Sequence, residues 1–363
     1  MNNLTLEIKW VVLMSGRDDV SRKCSICAVI TQYFDSNRRG FFLKNIMFYL
    51  LNLKFATKKN CKPKINNLKY MKLKEEQNTK SLPNSKDINT DQTHLFTFYS
   101  DNRTAREIEI RGGPPKWRLT PGALSINSET SNPNVFVHNK RTNNIDVFET
   151  NEQNDAWQYR KTFKDEQFEG LTDISAAGLN SFFFVKSSIF GTNFALNIIE
   201  RVVPIPTGYI YFVSGNNIQQ ISRVSFPTGI VYDSVKKSIF VTSSTRNSIY
   251  RMKVQVKNGI EIVSSKEYDL GCSPSSIWKD FDGSFLITCH PVKFRYLLSL
   301  FNVITSSPSL ILRVAVPTDK DKPLTITQLY SNDGATISNA NVTVRAGRSL
   351  LISDGTKILN CHL

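Results

Sequence analysis

Along most of this chain, short apolar runs rich in Phe, Ile and Val follow turns built from Pro, Gly, Asp and Asn. Pro121-Gly122-Ala123-Leu124 leads to Val135-Phe136-Val137-His138, and Gly170-Leu171-Thr172-Asp173-Ile174 leads to Ser181-Phe182-Phe183-Phe184-Val185. The unit returns as Pro227-Thr228-Gly229-Ile230 before Ser238-Ile239-Phe240-Val241-Thr242, and as Pro274-Ser275-Ser276-Ile277 before Gly283-Ser284-Phe285-Leu286-Ile287. A last copy runs from Asp333-Gly334-Ala335-Thr336 to Gly347-Arg348-Ser349-Leu350-Leu351-Ile352. Runs of this length, bounded by turn residues, predict strands, and a period of roughly 45 to 60 residues is that of a four-stranded propeller blade. Strand patterning begins at His94-Leu95-Phe96-Thr97-Phe98-Tyr99 and continues in Glu107-Ile108-Glu109-Ile110. Only Ser188 to Val203 leaves room for a helix or lid-like excursion, so the class is all-β. In a propeller the turns of such repeats face the central channel, which is where function is sought.

The first quarter of the chain is different. Residues 1–60 hold two apolar stretches, Trp10 to Met14 and Phe41 to Ala56, the second flanked by Arg38-Arg39 and Lys58-Lys59. It is short of the roughly 20 apolar residues that span a bilayer, and Lys44 and Asn45 interrupt it, so a signal-anchor and an interfacial helix both remain open. Residues 61–93, rich in Lys, Asn and Ser, read as a polar linker or a divergent first blade, leaving 94–363 for the propeller. The net charge of +15 concentrates here: residues 1–92 carry 17 Lys and Arg against 8 Asp and Glu. With no nucleic-acid motif beside it, this is a solvated or membrane-proximal basic arm and excludes nucleic acid as the expected partner.

Six cysteines are spread along the chain, and Cys24-Ser25-Ile26-Cys27 has no second pair at zinc spacing. The sequons at Asn3, Asn102 and Asn341 suggest a glycoprotein of the secretory pathway, with Asn102 and Asn341 lying inside the propeller.

From Gly283 to His290-Pro291 the chain ends a strand in Cys289-His290-Pro291. Leu312-Arg313-Val314, Asn332-Asp333-Gly334 and Leu350 through Leu363 then follow in order. Together these resemble the paraoxonase/arylesterase family, six-bladed β-propellers that are calcium-dependent lactonases and esterases. Propellers of the gluconolactonase or strictosidine-synthase type match less well near the C-terminus. The resemblance implies a disulfide between Cys61 and Cys361, closing the ring in an oxidising compartment, and a free Cys289.

It also implies a site. The family's calcium is held by Asn, Asp and Glu oxygens at the blade turns and polarises the ester or lactone carbonyl. The corresponding positions here are Thr172, Thr228, Pro274 and Ser275, none of which offers an anionic or amide oxygen. Asp173 matches a ligand of the family's structural calcium, and otherwise reads as a turn-forming Asp. No counterpart of the first-blade Glu-Asp pair is found. Of the family's two water-activating histidines, the first position is Gly122 and the second is His138. His290 reads as a structural residue in its turn.

The expectation is a propeller that has lost hydrolysis, with no cofactor. Such a protein serves as a binding or chaperone-like assembly factor for membrane proteins or channel subunits, as in the family's membrane-anchored invertebrate members, at the endoplasmic reticulum, plasma membrane or cell exterior. The competing expectation is a calcium-dependent arylesterase or lactonase acting on small esters or lactones, with Asp233, Asp280, Asp282 and Asp333 supplying oxygens from shifted positions.

Overall fold

The computed structural model describes residues 25–26, 95–99, 104–114, 118–127, 133–150, 156–191, 194–256, 259–301, 303–317, 322–355 and 357–362. The expected leader and linker lie outside them, apart from Ser25–Ile26, which pairs antiparallel with Phe98 and Tyr99.

Five sheets follow one another as blades. The first runs outward from Pro121–Asn127 through Asn134–Asn139 and Asn144–Thr150 to Ala156–Phe163, with Glu109–Arg111 added parallel on its outer edge. The second comprises Leu171–Gly178, Ser181–Lys186, Gly208–Ser214 and Asn217–Val224; the third, Pro227–Asp233, Ser238–Ser243, Ser248–Val256 and Ile260–Asp269. The fourth is Ser273–Lys279, Phe285–His290, Ser309–Ala315 and Thr325–Asn332, and the fifth has three strands, Val342–Ala346, Ser349–Ser353 and Ile358–His362. Inner strands adjoin in chain order from blade to blade.

The architecture is therefore an all-β propeller, but the expected six blades are corrected to five among the described residues. The remaining sheet, Ser25–Ile26 with Phe96–Tyr99 and Thr104–Glu107, has three short strands and does not make a full blade among the described residues. The alternation expected through Glu107–Ile110 holds, with Glu107 and Glu109 exposed and Ile108 buried, although Ile108 lies between two strands, where it donates its N–H to the Leu95 carbonyl at 2.8 Å.

The second strands of blades two, three and four are flanked by sheet on both faces, which explains their unbroken apolar runs. Phe182, Phe183, Phe184 and Val185 are all fully buried. Aromatic pairs join neighbouring blades: Phe136 with Phe182 at 5.3 Å, Phe183 with Tyr232 at 5.1 Å, and Phe240 with Phe285 at 4.4 Å.

Antiparallel pairing puts the start of each inner strand beside the end of the second, as in Leu171 with Lys186, Pro227 with Ser243, and Ser273 with His290. Segments that leave second strands thus emerge on the face where inner strands begin. Two helices occupy those segments, α1 (Phe194–Val202) in blade two and α2 (Lys293–Leu300) in blade four. The first fills the expected excursion; α2 was not expected from the sequence.

Two further corrections concern the last two blades. Asp333 to Thr336 does not open an inner strand, which instead begins at Val342. Gly334 adopts φ 101°, and a Cβ there would meet the Ser307 backbone within 3.0 Å, so this turn packs against a loop of blade four. Cys289 is not free: it is bonded to Cys272 with the Cα atoms 5.8 Å apart, and both residues are buried. Its neighbour across the ladder is Pro274, which brings Cys272, just ahead of that strand, within reach. Cys361 is a half-buried free thiol among the described residues, raised to about 11 by burial, and Cys61 lies outside them.

Candidate functional site

Where the inner strands begin, their turns and the two helices enclose a cavity of about 520 Å³. The family positions singled out in the sequence meet here: Gly122, Thr172, Asp173, Thr228, Pro274 and Ser275 all line it. Sequence reasoning missed Lys140, Arg201, Phe226, Trp278 and Tyr296, which line it as well, as does Asn341 of the third sequon. Arg201, in the last turn of α1, and Tyr296, on α2, arrive through the topology just described.

The hydroxyls of the hub are already engaged. Thr228 Oγ1 donates to the Pro274 carbonyl at 3.0 Å, crossing from blade three to blade four. Ser275 Oγ donates across the next junction to the Ala340 carbonyl at 3.3 Å, and Thr172 Oγ1 pairs with Ser187 Oγ at 2.7 Å. Ser187 Oγ in turn donates to the Pro227 carbonyl of blade three. These side chains tie blade to blade around the hub.

Asp173 belongs to the same set of ties. Its Oδ1 accepts from the Ile174 N–H at 2.9 Å and its Oδ2 from the Ile230 N–H at 2.8 Å, linking the inner strands of blades two and three. The residue keeps some surface on the cavity while its carboxyl is enclosed. Burial pushes that carboxyl up to about 7, against the two N–H groups, which pull it down.

His138 stands behind Gly122 rather than on the cavity wall. It is 2% exposed and neither ring nitrogen has a hydrogen-bond partner. Burial, and then the Lys140 charge, lower it to about 4, which leaves the ring neutral at physiological pH. A Cβ on Gly122 would fall 2.6 Å from His138 Nδ1. The ring occupies the space that a side chain at the first histidine position needs, so a two-histidine relay cannot be assembled in this packing.

His290 is buried, stacked on Tyr296 at 3.6 Å between centroids, and lowered to about 3 by burial despite the opposing pull of the Pro308 carbonyl. Neither of its nitrogens makes a hydrogen bond of ordinary geometry, and the stacked Tyr296 ring packs against it, a structural role in keeping with its place in the turn.

Calcium takes six to eight oxygen ligands, several of them anionic. At the family positions the hub offers three hydroxyls committed to neighbours, a proline carbonyl already accepting from Thr228, and one carboxylate whose two oxygens face backbone N–H groups. That donor set does not fit the family's metal. No cluster of three or more His, Cys, Asp or Glu suited to a metal occurs among the described residues. Asp233, Asp280 and Asp282 sit at the opposite end of the inner strands, paired with Lys236 and Lys279, with Arg345, and with Arg313 respectively. Asp333 accepts from the Ala335 N–H and does not border the cavity.

Over residues 65–363 the sequence matches the arylesterase family model. The chain belongs to the arylesterase family. Among curated proteins it is 30% identical to Mechanosensory abnormality protein 6 of Caenorhabditis elegans, over 74% of this chain and 75% of that protein. It is 26% identical to Serum paraoxonase/lactonase 3 of Rattus norvegicus over 71% of this chain and 73% of that one. Among solved structures, a luciferin-regenerating enzyme aligns at a TM-score of 0.44 and 8% identity, covering 73% of this chain and 81% of its own; a likeness of that size carries no functional inference.

Asn341 borders the cavity, and Thr343 of its sequon is buried and bonded to Thr288, so a glycan there would have to fill the hub. Asn102 lies outside the described residues. No helix among the described residues is long and apolar enough to cross a membrane.

Proposed function

We propose that this arylesterase-family propeller has given up calcium-dependent hydrolysis and works as a binding or chaperone-like assembly factor for membrane proteins in the secretory pathway. The observation that carries this reading is the hub itself: hydroxyls bonded across blades stand at the metal positions, and the His138 ring abuts Gly122. Ester or lactone hydrolysis in this family needs a polarised carbonyl and an activated water, and the reading is supported by the described hub residues holding neither an anionic calcium cage nor a paired histidine. The similarity to a relative named for a mechanosensory abnormality is compatible with this role. A second support is the mouth of the cavity. Ile199, Val202 and Ile205 at α1 and Val292 and Phe294 at α2 expose large apolar side chains, a composition suited to docking.

The test joins a thermal melt across a calcium titration to assays of phenyl acetate and a lactone. A metal that binds only the folded state at a hundred times its Kd adds about 2.7 kcal/mol of stability. No shift at millimolar calcium and no turnover are expected. A calcium-dependent rise in Tm together with hydrolysis would instead favour the arylesterase or lactonase reading, which the resemblance to the serum paraoxonases keeps in view.

A further inference from the structure

Arg201 poses a question that the family positions do not answer. Its guanidinium borders the cavity, donates from Nε to Asn197 Oδ1 one helical turn earlier at 2.8 Å, and lies over the Phe226 ring at 4.6 Å. No carboxylate pairs with it among the described residues. Glu200, its neighbour on α1, acts on the guanidinium through its charge, but its carboxylate is held by the Ser188 hydroxyl and the Ile189 N–H. A half-enclosed cation without a direct ion pair is costly, and a ligand that brings the opposite charge into contact offsets the cost.

The rest of the wall sets the ligand's other requirements. Lys140 adds a second cation, while Asp173 is the one carboxylate on the lining among the described residues and its oxygens are turned to backbone N–H groups. Ala123, Leu124, Ile277, Trp278 and Val342 supply apolar surface. A volume of about 520 Å³ falls within the size range of small-molecule sites. The hub thus favours an anion where the family's site holds a cation.

We propose that this cavity binds a small organic carboxylate with an apolar body, the carboxylate seated on the Arg201 guanidinium and the body against Trp278 and Ile277. A carboxylate accepts from the remaining N–H groups of the guanidinium in a fork geometry, and Phe226 beneath holds the plane for it. The proposal rests on the hub being free of calcium. The calcium melt tests that premise separately, and the carboxylate series below is run in chelator.

The experiment is isothermal titration of the full chain with octanoate and benzoate, against octanamide as the neutral isostere, at fixed ionic strength. Octanoate is expected to bind at least about tenfold more tightly than octanamide, since a hydrogen bond to a charged group is worth about 1.5–3 kcal/mol. Arg201→Gln is expected to lose about tenfold or more for octanoate while leaving octanamide unchanged, with Arg201→Lys intermediate. Equal binding of octanoate and octanamide, undiminished octanoate binding by Arg201→Gln, or no octanoate binding at millimolar concentration would each overturn the proposal. Binding of an acidic peptide in place of octanoate would overturn it too. Should Arg201→Gln fail to fold, the octanoate-to-octanamide ratio on the unmodified protein still decides.

Discussion

Gly122→Ala tests the packing that separates this hub from a two-histidine site. The added Cβ would lie 2.6 Å from His138 Nδ1 and 3.0 Å from both Cγ and Cε of Lys140. Ordinary contacts between such atoms lie near 3.5–4.0 Å, so the overlap with the imidazole approaches an ångström. Lys140 is long and can swing aside; the His138 ring is 2% exposed and enclosed by its neighbours. Overpacking of this kind costs about 1–3 kcal/mol, which in a domain of this size lowers Tm by roughly 2–4 °C for each kcal/mol. His138→Ala should cost a similar amount alone, by leaving a void, yet it removes the atom that the new methyl strikes. The double variant is therefore expected to be more stable than the sum of the singles by about 1–3 kcal/mol. Urea unfolding followed by tryptophan fluorescence, with the slope unchanged, reads all three variants. A neutral Gly122→Ala, or penalties that simply add, would refute the contact between these positions. The same crowding predicts that Gly122→His gains no esterase activity.

Other expectations concern the ties around the hub. Cys289→Ser opens a loop of sequence separation 17, and chain entropy assigns such a bridge about 3 kcal/mol; a loss well under 1 kcal/mol in oxidising buffer would contradict the pairing with Cys272. Thr228→Val removes the hydroxyl that reaches Pro274 and should cost about 0.5–1.5 kcal/mol by denaturation, with no added sensitivity to chelator. Asp173 carries a pH signature. Its folded carboxyl is raised to about 7, so protonation favours the folded state, and that contribution is full below about 4 and lost as pH rises through about 7. Stability at pH 5 should exceed that at pH 8 by about 2–3 kcal/mol more in the unmodified protein than in Asp173→Asn; parallel pH profiles would show that the carboxyl titrates normally.

The blade repeat was legible because second strands such as Phe182–Val185 are buried on both faces and must be apolar throughout, a requirement written directly into composition. The blade count was less so. Edge strands such as Thr325–Asn332 are largely exposed or half-buried and carry no apolar signature, and the turn at Asp333 resembled a blade start because Gly334 serves a loop contact with the same residue type. At the hub, comparison with the family's ligand positions found the inner-strand residues, since they lie one after another at the blade turns. It missed Arg201 and Tyr296, which reach the cavity from helices inserted between strands. The Cys272–Cys289 bridge was obscured because short-range spacing does not report a bond across a strand pair.

Phe226 is buried at the cavity with φ 39°, a conformation that bulky residues rarely adopt and that costs on the order of 1–3 kcal/mol. The backbone there would be easier with glycine, while the Arg201 guanidinium would lose the ring it rests on. Emptying that buried site would cost about 3–5 kcal/mol, more than the strain relieved, so packing of the ring holds the backbone in this conformation and the same contact that secures the fold also seats the guanidinium.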